Sequence, residues 1–484
     1  MKKISILLLL LLFNISCSNQ KGNIADIVLN NDIDSYMKNV MKLHNIPGLA
    51  IAVIQNDSVI YQNYFGKSSL EQNKDIDENT LFRIFSATKL ITSTGVFQLI
   101  ENGKISLEDE ISIYLENLPT KWSEIRIKNL LSHSSGLPDI IRYKWDLTDK
   151  ELVEKLSNDK MDFDTGNQFR YNQTNYWFLS QIIEKVSGVS FAEFVLKNQF
   201  NSLNNDVLFS SNATDNIPNR ATRYFYNYGE DKFNKDTNNS GIRGHSGNGL
   251  NITLSEFIKW NSKLDNNELL TNESKNLLWT PFDYSNQTDK FSHGWGIYPV
   301  NNINSIGFSG GNCAGFRKFT ENNTTIILLS NGYIHPAYDI IIDDIARMTI
   351  PELRVRDLIF EEDIMNLVIN KEYDKAKLAF TKLISENPES EFDNLKWNLN
   401  GIGNTLLYNN DFEALDVFNL TSEAFPKWWI APAGLAETFE KQGDTIRAIS
   451  SYKNAILLNE NNEWNYNEQM HKKIGELKNN NQPK

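Results

Sequence analysis

The sequence predicts an α+β unit followed by an all-helical region. Three observations carry this expectation. Two strands open the patterned part of the chain, apolar helices fill its middle, and a β-branched strand returns late. From about residue 356 onward the pattern is almost wholly helical. The 484 residues are 40% hydrophobic and 23% charged, which suits one large core and a smaller one and excludes a disordered chain.

Met1-Lys2-Lys3 precedes the apolar run Ile4–Phe13, which is too short to span a bilayer and reads as the apolar part of a secretory signal. The following Asn14-Ile15-Ser16-Cys17-Ser18 resembles a bacterial lipoprotein signal. Cys17 is therefore the expected lipidation site and residues 1–17 the signal peptide. Residues 18–30, small and polar, read as a tether. The expected location is extracytoplasmic: periplasmic and lipid-anchored to a bacterial membrane.

Within the α+β unit, assigned to 31–351, Leu49–Ile54 is a buried strand, Asn56-Asp57 a turn, and Ser58–Phe65 the returning strand. Ser86–Glu101 reads as a central helix, with Leu90, Ile91, Val96 and Phe97 apolar, Ser93-Thr94-Gly95 small, and Gly103 as its stop. Trp177–Val186 forms another helix ended by Gly188. Thr324–Leu329 is a strand and Ile340–Met348 a closing helix. In the second unit, 356–478, Ala376/Phe380, Ala414/Phe418 and Ala448/Tyr452 recur at spacings of 38 and 34 residues. They resemble degenerate tetratricopeptide repeats, either a surface for a protein partner or a helical cap on the first unit.

The formal net charge is −13, and no basic run is available to neutralise phosphates, so nucleic acid is not an expected partner. Six scattered histidines and two cysteines, Cys17 and Cys313, give neither a metal site nor a disulfide framework; no metal or cofactor is expected. Ser86-Ala87-Thr88-Lys89 matches Ser-x-x-Lys, as do stretches starting at Ser18, Ser35, Ser157 and Ser450. Ser86 differs by its place at the head of an apolar helix. Lys89 shares its helix face there, and burial lowers an amine's pKa enough for it to accept a proton.

Further segments fall in order. Phe82–Lys89, Gly103–Glu110, Leu130–Leu137 and Phe169–Tyr176 together resemble the serine β-lactamase and penicillin-binding-protein superfamily, in particular its class C-like branch. That resemblance implies a β-lactamase/transpeptidase-like fold, an antiparallel sheet flanked by helices plus a helical subdomain. It makes Ser86 the acylated nucleophile, with Lys89 and Tyr171 assisting proton transfer and the choice of base open. Gln173 stands where the family has Asn. Phe308-Ser309-Gly310-Gly311 stands where it has Lys-Thr-Gly or His-x-Gly, with Ser86 and Gly311 N–H groups implied as the oxyanion hole. Phe308 offers no cation, which points away from β-lactams and toward esters or neutral acyl groups. His133 is read as a loop-ordering residue. The expected function is a secreted serine hydrolase acting on a small acyl, peptide or wall-derived substrate. The alternative is a non-catalytic binder of wall or peptide ligands that recruits a partner through its helical repeats.

Overall fold

The computed structural model describes residues 24–200, 205–227, 230, 232–285, 291–300, 303–333, 338–353, 364–365, 367–386, 393–460, 462–463 and 466–480. Its strands are β1 (Gly48–Gln55), β2 (Ser58–Ser69), β3 (Lys74–Asp75), β4 (Phe82–Arg83), β5 (Val207–Phe209) and β6 (Tyr224–Asn227). They continue with β7 (Lys232–Lys235), β8 (Leu250–Ile252), β9 (Gly296–Val300), β10 (Ile303–Gly310), β11 (Ala314–Phe319) and β12 (Thr324–Ser330). The main sheet is antiparallel, in the order β3-β2-β1-β12-β11-β10-β9. The first hairpin forms where the sequence placed it. Asn56 and Asp57 take φ of 48° and 61°, as a two-residue turn of matching twist requires.

Alternation along β1 divides the molecule into layers. Leu49, Ile51 and Val53 face a core made with the flanking helices Ile24–Leu43 and Tyr338–Thr349. Ala50 and Ala52 face the larger core, which holds helix Thr88–Glu101. Small alanines let that helix come close to the sheet. The helix is buried from Thr88 through Phe97, and its hydroxyls stay satisfied inside. Thr92 Oγ1 donates to the Ser246 carbonyl at 2.7 Å, and Trp295 Nε1 donates to Ser93 Oγ at 3.1 Å.

Two expectations shift. Ile24–Leu43 is a helix, so residues 24–30 are not a tether; they begin a helix that packs on the sheet. Residues 1–23, and with them Cys17, lie outside the described residues. Ser86 does not open the central α-helix but sits in a 3-10 turn, Phe85–Ala87, immediately before it.

The second unit is helical as expected, with Tyr373–Glu386, Asp393–Tyr408, Ala414–Ala424, Ile430–Lys441, Thr445–Leu458 and Tyr466–Asn480. The repeated Ala and aromatic positions are all buried. Phe418 fits because Gly403 and Gly434 lie against its ring, where an added Cβ would come within 2.7 and 2.4 Å. One buried carboxylate ties the two units. Asp344, on the helix that closes the first unit, accepts from Tyr36 at 2.6 Å and from Asn398 of the second unit at 3.1 Å.

Candidate active site

Four segments meet at Ser86. The first is the 3-10 turn that carries it. The turn is entered through Phe85 at φ 46°, an unusual conformation for a bulky residue. Phe85 is held there from outside: the Arg83 and Arg223 guanidinium groups lie 4.3 and 4.2 Å from its ring centre. The second is the helix Thr88–Glu101, which delivers Lys89.

The third is the stretch leading into helix Gln173–Ser187. Asn172 caps that helix, accepting from Thr174 N at 2.7 Å, and Gly188 ends it in the left-handed region. The cap residue Asn172 is extended, the chain before it presents Tyr171 to Ser86, and the Tyr171 hydroxyl donates to Ser86 Oγ at 2.7 Å. Beneath it His133 is fully buried, 4.7 Å from the Tyr171 ring centre, and its Nδ1 accepts from Asn172 N at 3.2 Å. Burial and the nearby Lys89 charge push His133 well below the usual imidazole range, so it stays neutral and orders the loop.

The fourth segment is the end of β10. Gly310 is required there: a Cβ would lie 2.1 Å from the Ile84 carbonyl and 2.7 Å from Ser86 N. At Gly311, a Cβ would lie 2.6 Å from the Phe85 ring. Arg223 donates to the Gly311 carbonyl at 2.5 Å, fixing this backbone beside the Ser86 turn. Phe308 stacks on Tyr171 with centroids 6.1 Å apart and an interplanar angle of 17°. Ser309, next along the strand, faces the other side and donates to Asp339 at 2.6 Å. Its hydroxyl is therefore engaged by the sheet's flanking helix, where the fully buried Arg317 pairs with the same carboxylate.

Lys89 is buried, and its contacts differ from the one-turn approach to Ser86 that the sequence suggests. Its Nζ donates to Gly247 O at 2.8 Å and to Gln173 Oε1 at 3.1 Å, and lies 4.7 Å from the centre of the Tyr171 ring. Gln173 thus holds the lysine. A neutral amine has two N–H bonds, both used here, and one lone pair left to receive a proton. Burial lowers Lys89 to about 7, against the opposing pull of Asp139. Desolvation raises Tyr171 above the ordinary phenol range although the residue is 37% exposed, opposed by its hydrogen bond to Ser86. The phenol keeps its proton while the amine titrates near neutrality.

Gly247 was not visible as a site residue in the sequence. The available sign was the density of glycine at 241, 244, 247 and 249. A Cβ on Gly247 would lie 2.7 Å from Gln173 Oε1 and 3.4 Å from Lys89 Nζ. Gly247→Ala is expected to push Gln173 off the lysine and lower kcat about 10- to 100-fold without loss of the fold. Steady-state kinetics beside circular dichroism checks this.

Against known proteins, residues 33–344 match the family described as Beta-lactamase. A penicillin-binding protein of Bacillus subtilis (strain 168) is 25% identical over 317 residues, covering 60% of this chain and 68% of that protein. Among solved structures, the octameric penicillin-binding protein homologue from Pyrococcus abyssi superposes with a TM-score of 0.58 at 22% identity, over 70% of this chain and 81% of that one. EstCE1, described as a hydrolase with promiscuous acyltransferase activity, superposes with a TM-score of 0.57 at 17% identity, over 67% of this chain and 99% of that one. At such identities the two structures share the fold with this chain.

Proposed function

Because the chain belongs to the Beta-lactamase family, we propose that it is a serine hydrolase cleaving an ester or amide through an acyl intermediate on Ser86. One observation carries the reading: Tyr171 O–H reaches Ser86 Oγ at 2.7 Å, and the Lys89 amine lies against the same phenol. Ser86 Oγ attacks the acyl carbon, and its proton passes through the Tyr171 hydroxyl to Lys89. The amine titrating near 7 is the group able to store that proton. The bond to the alkoxide or amine then breaks, and the leaving group takes the proton. Water repeats the sequence on the acyl-Ser86 ester, restoring the free hydroxyl and releasing the acid. The close approach of Gly310 to Ser86 N supports the Ser86 and Gly311 N–H groups as the oxyanion hole.

An active-site-directed fluorophosphonate tests the reading. Labelling of the wild type and not of Ser86→Ala supports it. No labelling of either leaves the non-catalytic binder. Phe308, packed on Tyr171 and edge-on to Phe291 at 5.7 Å, makes this wall apolar. Short-chain aryl esters are therefore expected to turn over faster than a chromogenic cephalosporin, in side-by-side spectrophotometric assays.

The same reading has the chain exported and lipid-anchored through Cys17, on the strength of the sequence of residues 1–17. Among the described residues no helix is long and apolar enough to cross a membrane. Loss of lipid incorporation in Cys17→Ser is the check. The helical unit, 356–478, is proposed first as a cap on the hydrolase unit, supported by the Asn398 to Asp344 contact.

A further inference from the structure

On the far side of Phe85 from the hydrolytic apparatus described above lies a cavity of about 600 Å³, walled by the end of β2, the 213–223 segment and the 235–237 segment. Phe85 is both a wall of this cavity and the residue next to Ser86. Five cationic side chains line the cavity: Lys74, Arg83, Arg220, Arg223 and Lys235. Two carboxylates, Asp215 and Asp236, line it with them, and a third, Glu71, pairs with Lys235 at the rim. The whole protein is acidic, at −13, so this concentration of positive charge runs against the composition.

The cations are only partly spent on the protein itself. Arg220 is committed to backbone carbonyls, of Asn212 at 3.0 Å and Ala213 at 3.0 Å among others. Arg223 is divided between Asp236 at 3.1 Å and the Gly311 carbonyl at 2.5 Å. Arg83 holds Asn248 through Nε and Nη2, at 3.1 and 2.9 Å, while its Nη1 is buried with no hydrogen-bond partner. At the rim Lys74 reaches Asn219 at 2.9 Å and Lys235 reaches Glu71 at 3.2 Å. A concave site lined by one sign of charge attracts the opposite sign, and guanidinium groups suit planar or tetrahedral oxyanions.

We propose that this cavity binds an anionic group, a carboxylate or a phosphate, one residue away from the nucleophile. Its link to the hydrolytic site is covalent and polar: Phe85 precedes Ser86, and Arg223 holds Gly311. The anion comes either from solution or from the substrate's own acyl arm, and the second source rests on the hydrolase reading.

Two measurements on the full chain separate these sources. Calorimetric titration with inorganic phosphate is expected to show saturable binding, weakened about tenfold or more in Lys74→Glu/Lys235→Glu, which reverses the rim charge without touching buried groups. Arg83→Gln, with folding checked by thermal melting, is expected to weaken it as well. Next, 4-nitrophenyl butyrate is compared with mono-4-nitrophenyl succinate. If the substrate supplies the anion, the succinate has the higher kcat/KM, phosphate competes with it, and the rim variant lowers the ratio. If the anion is free, the two esters turn over alike while phosphate still binds. Absence of saturable phosphate binding together with absence of succinate preference overturns the proposal. So does phosphate binding that neither the rim variant nor Arg83→Gln changes. Should neither ester be turned over, the hydrolase reading fails and the phosphate titration still decides the cavity.

Discussion

Ser86→Ala is expected to abolish turnover of a short-chain aryl ester, with kcat falling on the order of 10⁴-fold or more. In the proposed mechanism the hydroxyl is the atom to which the acyl group bonds, and the nearby hydroxyl of Thr88, at the first position of the helix, is buried and accepts from Leu250 N at 3.1 Å. Lys89, Tyr171 and the Gly310-Gly311 backbone stay where they are, so what survives is the background from binding and polar preorganisation. The fold hardly notices. The variant loses one acceptor for the Tyr171 hydroxyl, a change of about 1 kcal/mol. A large kinetic loss with a melting temperature close to wild type is therefore the expected pairing, read by stopped assays and calorimetry on the same samples.

The second large effect belongs to Lys89. In the proposed mechanism only the neutral amine accepts the proton of Ser86, so kcat/KM is expected to rise with pH, with its half-height near the lysine's value of about 7. Lys89→Met removes that step from the pH profile and lowers kcat roughly 10²- to 10⁴-fold. Stability should move the other way. An unfolded lysine titrates near 10.5 and the folded one near 7. Between those values the unfolded chain carries the extra proton, so stability rises with pH across that window, and below about 7 the full penalty of burying the amine is present. Replacing Lys89 by Met lifts that penalty. The gain in melting temperature relative to wild type is then larger at pH 6 than at pH 9. A gain that is equal at both values contradicts the assignment.

Much of this was legible in the residues. The first hairpin, the central helix, the late strand and the helix ending at Gly188 are local patterns with strong punctuation, and local patterns survive folding. Ser86 and Tyr171 could be picked out through the ordered run of segments that resemble the family. The partners of Lys89 could not. Its amine meets Gln173 and Gly247, which are 84 and 158 residues away in the chain, and helical spacing speaks only about neighbours one turn apart. The partner of Ser309 was hidden for a related reason. Strand alternation turns its hydroxyl toward Asp339, and nothing near Ser309 in the sequence announces that acid. Phe85 carries a backbone conformation usually left to glycine. It is tolerated because Arg83, two residues earlier, and Arg223, from a distant segment, grip its ring, and only the three-dimensional arrangement reveals the second half of the grip.

Asp344 gives the helical region a meaning beyond recruitment. Its carboxylate is desolvated, which raises its pKa, and one of its donors, Asn398, comes from the second unit. Shortening the protein after residue 355 would therefore strip a partner from an acid at the heart of the first unit's outer layer. The tail and the hydrolase share a keystone, so each is a poor candidate for life on its own.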